Sequence, residues 1–472
     1  MAQGKTKGIL IQVFLDVFSA ALAWFLLFIF RKIFIENVDF SFNALLHDIN
    51  FQLGIFLIPL AWLALYFLSG SYTDIYRKSR LAAIGRTFFQ SVVGCIILFF
   101  AFLLDDLVFS YKNYYATFLF LFSTHFLLTI TFRFALFTLA KHRMIKGNHY
   151  FPTLIIGSSQ SAYLFYKDQK GILSNFGNRI VGFVNVEENG HDALKGEIPI
   201  LGKLNQLETI IEKNKIEDVV IALETGDQNK ISNIINQLSG RNIIIRIIPS
   251  MFDILSGMVK MTQVTGTPLI EIYPDTMPLW QRNIKRLLDI LVAFFALVLL
   301  FPVFLIIGVL VKFSSKGPVF YFQERVGHRG ASFKIIKFRS MVQNAEENGP
   351  ALSSENDERI TPIGRVLRKW RLDELPQFLN VLKGDMSLVG PRPERAFFIE
   401  KMRAKAPHCQ HLQRVKPGIT SLGMVKFGYA ENVEEMIERL RYDIIYIENQ
   451  SLAIDFKIML YTIITLLRGR GK

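Results

Sequence analysis

Cysteine is nearly absent, with two in 472 residues: Cys95 inside an apolar run and Cys409 in a polar stretch. Two isolated thiols exclude a disulfide framework and form no metal-ligand spacing. Histidine holds no motif position, and His328, His408 and His411 read as surface residues. A complete dinucleotide loop is missing as well. The turn from Gly157 to Ser161 has one glycine where the fingerprint wants three, and no acidic residue closes the following strand at the expected place. There is no internal repeat and no low-complexity tract. The first apolar run is too long for a cleavable signal and ends in Arg31-Lys32.

Apolar surface and positive charge are abundant. Hydrophobic residues make up 51% of the chain, Phe alone contributes 43, and the net charge is +14. That balance points to lipid contact, and to anionic headgroups or a phosphorylated substrate. Nucleic acid is disfavoured, because the basic residues flank apolar spans instead of forming an aromatic-interleaved face.

Four apolar stretches open the chain, at about Ile9–Phe30, Phe51–Leu68, Phe88–Leu104 and Tyr115–Ala140. Each is near the ~20 residues that a spanning helix needs. Arg133 is costly in lipid and is expected to face a helix partner or to reach the interface. Lys5 and Lys7, then Arg77, Lys78, Arg80 and Arg86, then Lys141, Arg143 and Lys146 alternate with loops carrying Glu36, Asp39, Asp48, Asp105 and Asp106. Positive-inside counting therefore puts both ends of this region in the cytoplasm. A transporter core is the competing reading, and the spans are expected to hold almost no polar residues that could line a pathway.

Residues 149–270 change to β-branched runs separated by amphipathic segments, which predicts a Rossmann-like parallel α/β domain of structural or regulatory role. A membrane-bound NAD-dependent nucleotide-sugar dehydratase or epimerase is the alternative, since Tyr163-x-x-x-Lys167 mimics its catalytic pair. The pair falls in the first helix after the glycine turn, too early in the fold for that chemistry.

A fifth apolar run, Ile290–Val311, has Pro302 near its middle and basic residues on both flanks: Arg282, Lys285 and Arg286 before, Lys312 and Lys316 after. Proline breaks a helical hydrogen bond, and two basic flanks oppose translocation of either end. A re-entrant helix over about 285–312 satisfies both. Val433–Asn449 reads as an amphipathic helix, and Ser451–Leu467 as a core helix or one lying in the headgroup layer, followed by Arg468 and Arg470. Trp370 suits the same interface.

The richest stretch is Arg365–Pro393. Arg365, Arg368, Lys369 and Arg371 precede the adjacent carboxylates Asp373 and Glu374. Pro376 opens a short helix that Gly384 closes, and Asp385 leads to the stiff turn Pro391-Arg392-Pro393. Cations, carboxylates and a directed arginine suit a phosphorylated substrate held through a metal ion, or a solvated charged loop beside a salt bridge.

With Lys285–Asp289, Gly317–Gly327, Lys334–Met341 and Arg414–Thr420, this stretch resembles the bacterial sugar transferases, the polyprenyl-phosphate glycosyl-1-phosphate transferases, in their long form. Members often carry a serine before the proline of the re-entrant segment, where this chain has Phe301. The resemblance implies four N-terminal transmembrane helices (1–148), the middle domain (149–270) and a monotopic catalytic domain with the re-entrant helix (271–472). It implies transfer of a hexose-1-phosphate, glucose first and galactose second, from a UDP-sugar to undecaprenyl phosphate with release of UMP. The product would start an exopolysaccharide, capsule or O-antigen at the inner membrane of a bacterium, from the cytoplasmic side. By the same resemblance Asp373 is the nucleophile and Glu374 its metal-binding neighbour, with Mg2+ as cofactor. Asp455 and Asp385 are further metal candidates; Arg368, Arg392, Lys334, Lys337 and Arg339 are the phosphate-binding candidates. Partners are then the UDP-sugar, undecaprenyl phosphate and membrane lipid, with a second copy of the chain as a candidate and no nucleic acid.

Overall fold

The computed structural model describes residues 2–38, 41–103, 111–147, 149–157, 160–169, 177–186, 196, 198–223, 228–238, 241, 243–255, 269–272, 276–343, 345, 349, 357–428 and 430–467. Asp39, Asp105, Asp106, Ser158, Ser159, Arg468 and Arg470, all used above, lie outside the described residues. The chain divides into two compact units, Met1–Pro152 with Tyr166–Ile180, and Thr153–Phe165 with Val181–Lys472.

The first unit is built on α1 (Ala2–Phe30), α2 (Phe42–His47), α3 (Ile49–Leu68), α4 (Arg80–Leu98) and α5 (Tyr111–Ile145). Four of these, in the segments Thr6–Ile35, Ile49–Leu68, Arg80–Ala101 and Tyr111–Ile145, are long and apolar enough to cross a membrane. Trp24 and Leu27 of α1, Trp62 and Tyr66 of α3, Cys95 of α4 and Leu121 of α5 pack into one core, while Phe14, Phe56, Leu60 and Phe89 stay exposed on the outside. An apolar exterior is what a helix bundle presents to lipid.

The expectation of spans nearly free of polar residues is corrected. Arg133 of α5 donates from Nε and Nη2 to Asp16 of α1 at 2.9 and 2.8 Å, and from Nη1 to Thr87 and Gln90 of α4 at 2.9 and 3.2 Å. Its guanidinium also lies 4.1 Å from the ring centroid of Tyr66 on α3, whose hydroxyl meets His125 Nε2 at 2.8 Å. All four long helices thus contribute to one buried network. Satisfying each other's polar groups is what makes these residues tolerable at that depth.

Further along the chain β1 (Phe151–Ile156), α6 (Gln160–Gln169), β2 (Asn178–Asn185), β3 (Ile200–Lys203), α7 (Leu207–Asn214), β4 (Asp218–Ile221), α8 (Gln228–Leu238), β5 (Ile244–Ile247), α9 (Met251–Leu255) and β6 (Ile270–Ile272) form a six-stranded α/β domain in the order β3-β2-β1-β4-β5-β6. The β2–β3, β1–β4 and β4–β5 pairs are parallel, and β6 adds an antiparallel edge. Arg246 on β5 holds that edge, reaching Asp218 at 3.0 Å and Glu271 at 2.9 Å. Gly157, at φ 123°, sits where a Cβ would lie 2.3 Å from the carbonyl oxygen of Ala222. The single glycine therefore answers to the close approach of the β1 and β4 ends, a structural reason that needs no bound dinucleotide. Tyr163 and Lys167 lie on α6, directly after it.

The remaining elements are α10 (Leu279–Leu299), α11 (Phe301–Ser314), β7 (Phe320–Val326), β8 (Ser332–Phe338), α12 (Pro362–Lys369), α13 (Gln377–Lys383), β9 (Ser387–Val389), α14 (Ala396–Lys405), β10 (Gly418–Thr420), α15 (Leu422–Lys426), α16 (Val433–Glu448) and α17 (Leu452–Leu467). Helices α10 and α11 bend by 62° at Leu300, so Pro302 opens the second arm, where its missing N–H costs nothing. The arms expose Leu291, Phe294, Phe295, Leu305, Ile306 and Phe313. The polar base of α10 is anchored to the domain. Arg286 donates to the carbonyls of Val381 and Leu382 at 2.7 and 3.0 Å, Lys285 donates to that of Val389 at 2.9 Å, and Asp289 accepts from Leu388 N–H at 3.1 Å.

Candidate active site

The carboxylates come from a short 3-10 turn, Leu372–Glu374, between α12 and α13. It is entered through Arg371, whose φ of 54° is left-handed. A non-glycine residue there costs about 1–2 kcal/mol, so the turn is held by its surroundings. Gln377–Lys383 follows as the expected short helix, and Gly384 at φ 93° closes it. Asn380 on this helix clips strand β8, accepting from Ile336 N–H at 3.0 Å and donating to Lys334 O at 2.8 Å. That clip seats Lys337, in the same strand, beside the acidic turn.

Asp373 and Glu374 are both buried, and their surroundings drive them apart. Glu374 Oε1 takes Lys337 Nζ at 3.0 Å and Arg392 Nη2 at 3.5 Å. Burial works to raise its pKa, but Lys337, Arg392 and Arg371 together hold it well below the usual carboxylate range. Asp373 takes no hydrogen bond or ion pair among the described residues; burial first, and the Glu374 charge second, push its pKa up against the pull of Lys337, Arg368 and Arg392. Burial also lowers the pKa of Lys337, and the Glu374 charge offsets part of that. Adjacent acids with opposed pKa shifts are a mark of a reactive site.

Arg368 is anchored through Nε to Ser340 Oγ at 3.0 Å and lies close enough to act on Asp373. Arg392 reaches Glu374 as described. Arg339 donates from Nη2 to the carbonyls of Val311 and Ser315 at 3.1 and 2.7 Å, closing the end of α11. Lys334 is exposed and, three positions along β8, on the opposite strand face from Lys337. Asp455 is spent on Lys285 Nζ at 2.5 Å and Tyr446 hydroxyl at 2.6 Å, and Asp385 lies 3.5 Å from Asn380 Nδ2. Among the described residues no group of three or more His, Cys, Asp or Glu is gathered for a metal ion. His411, expected at the surface, is instead largely buried, 3.0 Å from Asn236 Oδ1 of α8. Sequence reading missed Asn380 and Met424, whose apolar neighbours hide them in ordinary helix patterns.

A family model described as bacterial sugar transferase matches residues 280–469, and one described as CoA-binding domain matches residues 71–249. Exopolysaccharide production protein ExoY of Rhizobium meliloti is 40% identical over 40% of this chain and 87% of its own length. The chain belongs to the bacterial sugar transferase family. Two larger relatives align beyond the transferase match. One is the UDP-N-acetylgalactosamine-undecaprenyl-phosphate N-acetylgalactosaminephosphotransferase of Aeromonas hydrophila, 42% identical over 48% of this chain and 52% of the relative. The other is the UDP-glucose:undecaprenyl-phosphate glucose-1-phosphate transferase of Klebsiella pneumoniae, 35% identical over 56% of this chain and 57% of the relative. The match spans little more than half the length of these two. In this bacterial sugar transferase the site just described, Arg368 to Arg392, lies within the matched segment.

Proposed function

We propose that the chain transfers a hexose-1-phosphate, glucose first, from a UDP-sugar to undecaprenyl phosphate and releases UMP. The observation that carries this reading is the pair of buried, adjacent carboxylates with opposed pKa shifts, set among Lys337, Arg368, Arg371 and Arg392. Asp373 attacks the phosphorus that bears the sugar, forming an acyl-phosphate as the bond to UMP breaks. The acceptor phosphate oxygen then attacks the same phosphorus and frees the carboxylate. Arg368, Arg371 and Arg392 hold phosphate oxygens in line, and Lys337 keeps Glu374 ionised throughout.

The residues fit Mg2+. Both cations on Glu374 bind Oε1, so Oε2 and the Asp373 carboxylate remain as oxygen donors among the described residues. One or two carboxylates completed by substrate phosphates and water is the usual magnesium arrangement. When bound there, Mg2+ supplies neutralisation of diphosphate charge. Helices α10 and α11 dip into the inner leaflet and return, and the α/β domain and the site face the cytoplasm of a bacterium. The product starts a surface or secreted glycan.

Purified chain is incubated with undecaprenyl phosphate, Mg2+ and, in turn, UDP-glucose, UDP-galactose and UDP-N-acetylgalactosamine while UMP is followed. Release with UDP-glucose, and a labelled phosphosugar trapped on the protein but not on Asp373→Asn, is expected. A folded Asp373→Asn variant that keeps most of the rate rejects the covalent role. No release with any of the sugars rejects the reading itself.

A further inference from the structure

Arg371 and Arg392, from opposite ends of the acidic stretch, converge on one side chain outside it. Met424 on α15 is 3% exposed, and its Sδ lies 3.0 Å from Arg392 Nη1 and 3.8 Å from Arg371 Nη1. The seat beneath it is fixed by two further bonds. Ser421 Oγ accepts from Met424 N–H at 2.9 Å, and Asp443 of α16 accepts from Gly423 N–H at 2.9 Å. Arg392 is thus held on one arm by a sulfur and on the other by Glu374 Oε1 at 3.5 Å.

We propose that Met424 is a positioning residue for these two guanidiniums. A thioether is a weak, neutral acceptor. It orients two N–H groups without adding an anion that would compete with a diphosphate for the same cations. A carboxylate at this place would bind both arginines tightly and reduce their pull on the substrate. A leucine would fill the volume and orient neither.

The inference rests on the reading of the site as one for a UDP-sugar, and the test separates the two. Met424→Leu, Met424→Gln and Met424→Glu are prepared in the full chain. UDP binding is measured by calorimetry, alongside Tm and the KM and kcat for UDP-glucose. Glutamine, a neutral acceptor, should stay within about twofold of wild type in UDP affinity, leucine should lose about fivefold, and glutamate more than about tenfold. In the leucine variant KM should rise with the UDP dissociation constant and kcat should fall several-fold at unchanged Tm, because the guanidiniums that lose this orientation also hold the reacting phosphate in line. A packing role gives the reverse order, with leucine equal to wild type and both polar variants impaired through Tm. That order, in a wild-type protein that binds UDP, overturns the role of Met424 and leaves the site reading intact. A wild-type chain that neither binds UDP nor releases UMP overturns both.

Discussion

Replacing Asp373 by asparagine and Glu374 by glutamine should move stability in opposite directions, although the two residues are adjacent. Glu374 is paired with Lys337 and Arg392, and none of the three side chains is more than 18% exposed. Glutamine leaves Lys337 buried without its charged partner, and breaking a buried pair in this way costs about 3–5 kcal/mol. Asp373 remains close and takes up part of the attraction, so the lower end, about 3 kcal/mol, is expected. Asp373 itself is a buried anion that its surroundings oppose. Asparagine removes that opposition, so a gain in stability is expected at neutral pH. At about 2–4 °C per kcal/mol, Tm should fall by about 6–12 °C for Glu374→Gln, and it should rise for Asp373→Asn. The sign with pH follows from the raised folded pKa of Asp373. As pH falls through that value the wild-type group becomes neutral, the folded state loses its penalty, and the advantage of asparagine shrinks. Thermal melts of the detergent-solubilised chain in steps from neutral to acid pH, with UMP release alongside, check this. An Asp373→Asn variant less stable than wild type, or a Glu374→Gln variant that melts with it, would refute the division of roles.

Within the helical unit, Asp16→Asn should cost about 3 kcal/mol by stranding the Arg133 guanidinium, and adding Arg133→Gln should recover more than half of the loss in Tm. Equal Tm for Asp16→Asn and wild type would show that the pair holds nothing together. Burial, with Arg414 and His408 behind it, lowers the His411 pKa to about 4 from 6.5, so the unfolded chain binds the proton first and stability should fall as pH drops between those values. His411→Gln should flatten that part of the stability curve, and an unchanged slope in melts across pH would assign it to other groups. Cysteines placed just before residue 285 and just after residue 316 should both be protected from an impermeant label added outside cells; labelling on one side alone would make α10 and α11 a fifth span.

Much of the architecture was legible in the sequence because it is written in short-range patterns. The apolar runs became helices of spanning length, the β-branched runs became the α/β sheet, and Pro376 and Gly384 bracketed a helix at Gln377–Lys383. These features depend on neighbours a few residues away, where periodicity and backbone preference act. The adjacency of Asp373 and Glu374, and their cationic surroundings, were legible for the same reason. What each charged group is paired with was not. Arg133 meets Asp16 across 117 residues and Lys285 meets Asp455 across 170. Arg339 serves a helix end, and Met424 stands under two arginines, neither of which any local pattern announces. A charged side chain reports in sequence only that it must find a partner if buried. Which partner it finds, and therefore which carboxylate is held ionised and which is left opposed, is decided when distant segments pack.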